Sequence, residues 1–312
     1  MKIGLDLLGG DYAPNSTILG VIEAQKILAQ DHRIVLFGDE ENAKKRIQEE
    51  GVDPALFDFV HAPDQIGMHE HPTKAITQKP NSSIAKGFDL LKEGYLDSFA
   101  SAGNTGAMLV GSMFSVKTIP GVIRPAIATN VPKLKSGFGI LLDVGANADC
   151  KPEMLNQFAL LGSLYAEHVY DVANPKVGLL NIGEEEEKGN MLTIATYPLL
   201  KVNNKINFIG NAEGRDLFTD HADVYVCDGY TGNVVLKLAE SFYAVTKKKG
   251  FEDDFFDRFN YERYGGSPIL GINAPVLIGH GISTPEAIKN MVLLSRNMVL
   301  SKFIDKIKSA FN

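Results

Sequence analysis

Cysteine is scarce in this 312-residue chain, which contains only Cys150 and Cys227. Two cysteines cannot form the disulfide framework of a small secreted scaffold, and no secretory leader precedes the apolar run that begins at Lys2. We therefore expect a protein of the reducing cytoplasm. No uninterrupted apolar run approaches the roughly 20 residues that a membrane-spanning helix requires. Contact with a membrane surface stays open.

Positive charge is also scarce. The chain has 31 Lys and Arg residues against 38 Asp and Glu residues, which gives a net charge of −7 at pH 7. A general nucleic-acid-binding protein is usually basic, so this balance argues against nucleic acid as a partner. The length allows a sizeable hydrophobic core, and the composition is that of an ordinary globular protein.

Several catalytic signatures are missing. The sequence contains no Gly-x-x-x-x-Gly-Lys-Ser/Thr loop, no Gly-x-Gly-x-x-Gly after the first predicted strand and no Gly-x-Ser-x-Gly elbow. Cys227 lies in an apolar run and is predicted to be a core residue, so no covalent nucleophile is evident. His61, His69 and His71 could suggest a metal site, but a mobile polar loop over residues 62–80 is the favoured interpretation.

What the sequence does contain is a pattern of apolar strand, tight turn and helix. Its clearest case is the segment 223–237, DVYVCDGYTGNVVLK, where an apolar run breaks at Asp228, turns through residues 231–233 and resumes at helical spacing from Val234. Backbone N–H groups at the start of such a helix favour an anion in the cleft. The alternative is an ordinary connection in which Asn and Gly only shape the turn.

The same pattern recurs along the chain and predicts the fold. Strands are predicted over residues 2–8, 33–38, 57–61, 98–100, 126–131, 137–143, 176–182, 206–209, 224–227 and 274–278, with helices between most of them and one long helix at the end. This alternation predicts a single α/β domain over residues 1–312, with a doubly wound, mostly parallel sheet in an α/β/α sandwich. Ligands of such sheets lie outside the carboxyl ends of the strands, where we expect the turns to converge.

The predicted turns collect hydrogen-bonding residues and cations. The neutral set is Asn104, Thr105, Asn147, Thr231 and Asn233, together with the turn glycines. This set suits holding a small oxyanion, which predicts a group transfer with phosphate as a substrate. Lys188 follows four glutamates and is either the cation of the site or a solvated partner of those carboxylates. Arg215 either binds the anion or pairs with a nearby carboxylate, and His280 is either an acid–base group or a satisfied turn residue.

Seven segments together resemble the phosphate acyltransferase family of bacterial phospholipid synthesis (PlsX-type). They are LDLLGGDYAP at 5–14, SAGNTGA at 101–107, LLDVGANAD at 141–149, LLNIGEEEEKGN at 179–190, NFIGNAEGRD at 207–216, DVYVCDGYTGNVVLK at 223–237 and YGGSPILG at 264–271. Each segment is weak alone, but seven in order over nearly the whole chain make the resemblance specific. The first departs from the family's usual Asp-Ala-Met-Gly-Gly-Asp at Leu7, while Asp6 and Asp11 stay.

This resemblance implies an enzyme that moves a long acyl group from the thioester of acyl carrier protein to inorganic phosphate. The product would be an acyl phosphate, the donor for a downstream glycerol-3-phosphate acyltransferase. It further implies a fold like those of isocitrate dehydrogenases and phosphotransacetylases, a homodimer at the cytoplasmic face of the membrane, and neither metal nor nicotinamide cofactor. The alternatives are another enzyme of this fold, either a phosphotransacetylase-like transferase that uses coenzyme A or a dehydrogenase, and a non-catalytic acyl or phosphate sensor.

The resemblance also assigns roles on the matching segments. It gives catalysis to Lys188, as a neutralising cation, and to Asn233, as an oxyanion donor. The phosphate cradle that it implies is formed by Gly103, Asn104, Thr105 and Gly106 and by Gly232 and Asn233, with Asn147 near. We add Thr231, Arg215 and His280 as candidate substrate-binding residues.

Residues 238–263 depart from the family pattern. Relatives usually carry a longer, membrane-touching helical segment there, whereas this one is short and charged, with Lys247–Lys249 followed by three acidic residues. We therefore expect only weak contact with a membrane surface. Docking of an acidic carrier protein would need a basic patch. The candidates are Lys133, Lys135 and Lys151, or Lys247–Lys249.

Overall fold

The computed structural model describes residues 1–311. The strands are β1 (Lys2–Asp6), β2 (Arg33–Gly38), β3 (Asp58–His61), β4 (Ser98–Ser101), β5 (Ala126–Pro132), β6 (Phe138–Leu142), β7 (Lys176–Asn181), β8 (Asn207–Glu213), β9 (Val224–Val226), β10 (Ser267–Leu270) and β11 (Val276–Ile278). The α-helices are α1 (Asn15–Gln25), α2 (Glu40–Glu49), α3 (Pro72–Gln78), α4 (Ser83–Lys92), α5 (Thr105–Gly111), α6 (Pro152–Tyr170), α7 (Met191–Lys201), α8 (Gly229–Lys249), α9 (Asp254–Asp257), α10 (Pro285–Leu300) and α11 (Phe303–Phe311). Short 3₁₀ helices occur at Pro54–Leu56, Gly214–Phe218 and Tyr261–Arg263, and Ser112–Val116 forms a π-helical turn.

Contacts divide the chain into two compact units. The first comprises Met1–Thr118 and Glu262–Leu300, and the second comprises Ile119–Tyr261 and the chain from Ser301 onward. Each unit has its own strands, covering helices and core. The single domain expected over residues 1–312 stays a prediction.

The first unit is built on six strands in the order β3-β2-β1-β4-β11-β10. Neighbouring strands are parallel except for β10, which runs antiparallel to β11. Residues 34–37 of β2 are fully buried as a continuous apolar run, as expected for a parallel strand covered on both faces. Helices α1 and α10 pack together so closely that a Cβ at Gly20 would lie 2.5 Å from Cβ of Ile288.

The second unit is built on five strands in the order β5-β6-β9-β7-β8. Strand β5 is antiparallel to β6, and the other neighbours are parallel. The carboxyl ends of β6, β9, β7 and β8 therefore lie in that order along one edge. Both sheets confirm the predicted α/β class with mostly parallel strands. Among residues 1–311, no helix is long and apolar enough to span a bilayer.

Three elements differ from the sequence-based expectation. The loop predicted over residues 62–80 contains helix α3, which starts at Pro72, a residue whose fixed φ suits the first helical position. The long helix predicted at the end of the chain is two helices, because Lys302 adopts a left-handed φ of 52° between α10 and α11. Strand β10 was not predicted, since Gly266 and Pro268 give its sequence the character of a turn.

The charged segment predicted over residues 238–263 has a large aromatic component. Helix α8 runs on to Lys249, and α9 follows after a short loop. Phe242 of α8 packs on Phe259, with ring centroids 5.6 Å apart, and Phe218 packs on Phe259 at 5.4 Å. Phe255 and Phe256 complete this aromatic cluster. The charged sequence of this segment thus contains an apolar cluster that packs against the second half of α8.

Candidate active site

The carboxyl edge of the second unit carries most of the predicted site residues. Strand β6 leads into the loop that contains Asn147, β9 leads into the start of α8, β7 leads into the loop of Lys188, and β8 leads to Arg215. Because these four strands are parallel neighbours, their loops follow one another along one edge. The edge therefore brings these candidates to the same side of the unit.

Asp143 organises the loop after β6. Its side chain is fully buried and accepts hydrogen bonds from the backbone N–H groups of Ile127 (3.0 Å), Ala146 (3.1 Å) and Asn147 (2.7 Å). The amide of Asn147 donates to the same carboxylate at 2.9 Å and to the carbonyl of Pro125 at 2.8 Å. Burial raises the pKa of Asp143. Both amide N–H groups of Asn147 thus hold the loop in place.

Helix α8 begins two residues before the predicted turn. Asp228 is its N-cap and accepts hydrogen bonds from both the backbone N–H and the hydroxyl of Thr231, each at 2.8 Å. The predicted start of the helix after a turn at residues 231–233 is therefore wrong. The helix starts at Gly229, because Asp228 caps it. A Cβ at Gly232 would lie 1.9 Å from the carbonyl oxygen of Asp143, so only glycine permits this close approach.

Asn233 lies in the first turns of α8 and is exposed. Among residues 1–311 its side-chain amide has no hydrogen-bond partner. It lies beside the Asp143 loop, because a Cβ at Gly145 would be 3.6 Å from Cγ of Asn233. An amide held on a rigid helix start and not used by the protein is available to a ligand.

Lys188 is exposed on a loop whose backbone is fixed. Its carbonyl accepts a hydrogen bond from the amide of Asn181 at 3.0 Å, and its N–H donates to the carbonyl of Glu185 at 3.1 Å. Asn190 caps α7 two residues later through the N–H of Thr193 at 2.9 Å. Within the described chain, the ammonium of Lys188 forms no ion pair. The lysine is therefore not the partner of the neighbouring glutamates.

Two of those four glutamates pair with other cations. Glu184 lies 3.4 Å from Arg215, and Glu186 lies 2.5 Å from Lys201. Arg215 also forms an ion pair with Glu213. These contacts favour the alternative in which Arg215 serves as an ion-pair partner, whereas Lys188 of this loop forms no ion pair among residues 1–311.

The first unit places a second buried aspartate under its own turn. Asp6 ends β1, is 1% exposed, and accepts a hydrogen bond from the hydroxyl of Ser101 at 2.6 Å and from the N–H of Leu8 at 2.9 Å. The same Ser101 oxygen accepts from the N–H of Gly103 at 2.9 Å. Burial raises the pKa of Asp6. This chain of bonds fixes the start of the predicted 103–106 cradle.

Both the oxygen and the nitrogen of the Asn104 side-chain amide form hydrogen bonds within the protein. Its oxygen accepts from the N–H of Ala107 at 3.0 Å, which caps α5, and its nitrogen donates to the carbonyls of Gly67, Met68 and Glu70. Helix α5 therefore starts at Thr105, inside the predicted turn, so Thr105 and Gly106 are helical. The side chain of Asn104 ties the helix start to residues 67–70 and has no spare donor.

His280 lies next to this turn. It follows β11, and the adjacent N–H of Gly279 donates to the carbonyl of Ser101 at 2.9 Å. The carbonyl of His280 accepts from the hydroxyl of Ser283 at 2.6 Å. The first unit thus brings His280 and the 103–106 segment together, as predicted for neighbouring strand ends.

The two thiols do not supply a nucleophile. Cys227 is 2% exposed, which confirms the predicted core position, and burial raises its pKa well above the ordinary value. Burial also raises the pKa of Cys150 to about 12. Both groups are protonated near neutral pH, so neither forms the thiolate that a nucleophile requires.

A family model described as "Fatty acid synthesis protein" matches residues 1–306. The phosphate acyltransferase of Dictyoglomus turgidum is 44% identical over 331 residues, covering 100% of this chain and 98% of the relative. The phosphate acyltransferase of Desulforamulus reducens is 45% identical, covering 99% and 97%. The chain belongs to this fatty acid synthesis protein family. The predicted resemblance to phosphate acyltransferases is confirmed.

Solved structures support the fold of this family member. The EutD phosphotransacetylase from Staphylococcus aureus superimposes with a TM-score of 0.66 at 16% identity, covering 96% of this chain and 94% of that one. A phosphotransacetylase from Streptococcus pyogenes gives the same values. At this identity the likeness concerns the fold alone, and it confirms the predicted phosphotransacetylase-type architecture. The likeness to isocitrate dehydrogenases stays a prediction.

Three residues that organise this family member's turns were not among the predicted site residues. They are Asp6, Asp143 and Asp228, and each is an aspartate placed directly at the end of an apolar run. That position was a usable signal, because a carboxylate at the end of a buried strand must find N–H or hydroxyl partners in the turn that follows.

Proposed function

We propose that this protein transfers a fatty acyl group from the thioester of acyl carrier protein to inorganic phosphate, giving an acyl phosphate for phospholipid synthesis. One observation carries the proposal beyond family membership: Lys188 lies in the loop after β7, Asn233 lies at the start of the helix after the neighbouring strand β9, and neither the ammonium nor the amide has a partner among residues 1–311. A cation and a neutral donor on one edge suit a phosphate and a developing oxyanion.

The proposed reaction needs no covalent nucleophile. A phosphate oxygen attacks the thioester carbonyl carbon and forms a tetrahedral intermediate. Its oxyanion accepts a hydrogen bond from the amide of Asn233, while Lys188 neutralises charge on the phosphate. The carbonyl then reforms as the carbon–sulfur bond breaks, and the electron pair leaves with sulfur as the carrier thiolate. The products are the acyl phosphate and the free carrier thiol after protonation.

The remaining site residues stay proposals of different weight. Gly232 brings the start of α8 onto the Asp143 loop, and Thr231 keeps a hydroxyl oxygen able to accept a hydrogen bond. Asn104 and Asn147 are proposed to shape their turns through bonds already made. In the first unit, the segment Gly103–Gly106 offers helix-start N–H groups, and His280 lies beside it. We keep both as proposed substrate-binding elements.

We propose that acyl carrier protein docks on exposed lysines. Lys133 is unsuited, because it is buried and paired with Asp223 at 2.8 Å. Lys135 lies 3.6 Å from Asp220, and Lys247 lies 3.0 Å from Asp257. Within the described chain, Lys151 and Lys248–Lys249 have no carboxylate partner, so they are the remaining candidates for a carrier that is acidic.

We also propose that the protein is a cytoplasmic homodimer that makes weak peripheral contact with the inner face of the membrane and hands its product to a glycerol-3-phosphate acyltransferase. The weak contact is motivated by the short segment between residues 238 and 263. In agreement with a shortened segment somewhere in the chain, the match to the Dictyoglomus turgidum relative spans 331 positions against 312 residues here. Flotation with anionic liposomes that resists high salt would contradict weak contact.

The proposed reaction is tested by trapping the product. Purified protein is incubated with palmitoyl-acyl carrier protein and phosphate, and acyl phosphate is trapped with hydroxylamine. We expect hydroxamate that depends on phosphate and that falls by about a hundredfold in Lys188→Ala and Asn233→Ala. Lys306→Ala, which removes an exposed cation of α11, should retain the wild-type rate.

Each other outcome has a definite meaning. Undiminished hydroxamate in both variants keeps the reaction and rejects Lys188 and Asn233. Turnover with palmitoyl-coenzyme A but not with the carrier substrate favours the coenzyme A alternative. Absence of turnover with either thioester, from folded protein, rejects the proposed function.

A further inference from the structure

Arg124 is an unpaired guanidinium in the second unit. It directly precedes Pro125 and strand β5, and its side chain is exposed. Across residues 1–311 it forms neither a hydrogen bond nor an ion pair. Arg33 and Arg215, by contrast, form ion pairs with carboxylates.

The backbone on both sides of Arg124 is held by side chains. The amide of Gln157 donates to the carbonyl of Gly121 at 2.8 Å, and its oxygen accepts from the N–H of Ile123 at 2.8 Å. On the other side, the carbonyl of Pro125 accepts from the amide of Asn147 at 2.8 Å. The arginine is therefore presented from a fixed stretch of chain rather than from a free loop.

This fixed stretch connects directly to the candidate active site. Ile127, three residues after Arg124, donates its N–H to Asp143 at 3.0 Å, and Asp143 holds the loop of Gly145 and Asn147. Gly145 in turn lies against Asn233. The stretch that carries Arg124 thus contacts the loop of Gly145 and Asn147, and that loop lies beside Asn233, the proposed oxyanion donor.

We propose that Arg124 is a further substrate-binding residue, which binds the oxygens of the attacking inorganic phosphate. The inference rests on the proposed function. A guanidinium presents parallel N–H donors that match two phosphate oxygens, whereas the ammonium of Lys188 acts as a point charge. Arg124 would therefore orient the phosphate so that one oxygen faces the thioester carbon, and Lys188 would offset its charge.

The experiment compares Arg124→Gln and Arg124→Lys with wild type, with Lys306→Gln as the matched control for loss of an exposed cation in the same unit. Hydroxamate formation is measured while phosphate is varied at saturating palmitoyl-acyl carrier protein, and then the reverse. We expect Arg124→Gln to raise the KM for phosphate by about tenfold or more, because a charge-assisted bidentate contact is lost. The KM of Arg124→Lys for phosphate should lie between those of wild type and Arg124→Gln. The KM for the carrier substrate should not change in either variant.

A second readout works without turnover. Binding of phosphate stabilises the folded state, so added phosphate should raise the wild-type melting temperature and raise that of Arg124→Gln much less. An unchanged KM and an unchanged phosphate shift would overturn the proposal, as would a rise confined to the KM for the carrier substrate. Wild-type protein without turnover rejects the proposed function, while the phosphate-induced shift still decides whether Arg124 binds phosphate.

Discussion

The two units place a buried aspartate at the end of a strand in the same way but use the adjoining turns differently. Above Asp6, the amide of Asn104 is bonded on both sides to the protein. Beside Asp143, the amide of Asn233 and the ammonium on the next loop have no partner among residues 1–311. A similar local arrangement thus produces a closed network in one unit and free polar groups in the other. The bonds of Asn104 indicate a structural role for that side chain, whereas the free groups of Asn233 and Lys188 are the ones proposed for chemistry.

The largest expected effect tests the closed turn. Asn104→Ala should lower the free energy of unfolding by about 3 kcal/mol, because it removes a helix cap and the donor to three carbonyls. Asn233→Ala should change stability by less than about 0.5 kcal/mol. Chemical denaturation measures both. Asn104→Ser keeps the cap and should recover about 1 kcal/mol. Equal losses in the Asn104 and Asn233 alanine variants would erase the contrast.

A second prediction compares the two aspartates by pH. Burial raises the pKa of Asp6 above its ordinary 3.8, so the folded state binds this proton more tightly than the unfolded state does. The stability that the group contributes is full below about pH 3.8 and is lost as the pH rises toward the folded pKa, by at most about 1.4 kcal/mol per pH unit. Asp6→Asn should therefore gain stability relative to wild type as the pH rises from about 4, and then level off.

Asp143→Asn is the contrasting variant for that experiment. The Asp143 carboxylate accepts four N–H groups, so an amide nitrogen in its place would face donors. We expect this variant to be less stable than wild type throughout the same pH range. Burial raises the pKa of Asp143 as well, so the stability deficit of Asp143→Asn should also shrink as the pH rises. Unfolding curves at several pH values measure both variants, and an Asp143→Asn protein at least as stable as wild type would contradict the prediction.

The smallest expected effect separates paired from unpaired cations on the second unit's edge. Arg215 is 73% exposed and already paired with two glutamates, so Arg215→Ala should lower hydroxamate formation by less than about threefold. Lys188→Ala in the same assay serves as the comparison. A loss for Arg215→Ala as large as that for Lys188→Ala would return Arg215 to the substrate-binding set.

The sequence predicts elements better than it predicts which polar groups are free. The apolar run of β2 is predicted to the residue, because a strand buried on both faces has a continuous apolar sequence. The state of Asn104 depends on carbonyls 34 to 37 positions away, which no local pattern contains. The start of α8 was misplaced because Asp228 was interpreted as a strand break rather than as a helix cap.

The aromatic cluster near the end of α8 has a consequence for the other end of that helix. Phe242 is packed against Phe259, while at the start Gly232 lies against the backbone of Asp143. Helix α8 has 21 residues and is about 30 Å long, and it is packed both in its first turn and in its second half. These two contacts restrict rotation of the helix about its axis. The direction in which the Asn233 side chain projects from α8 is therefore set when the chain folds. The amide dipole of Asn233 then needs little reorientation during the reaction.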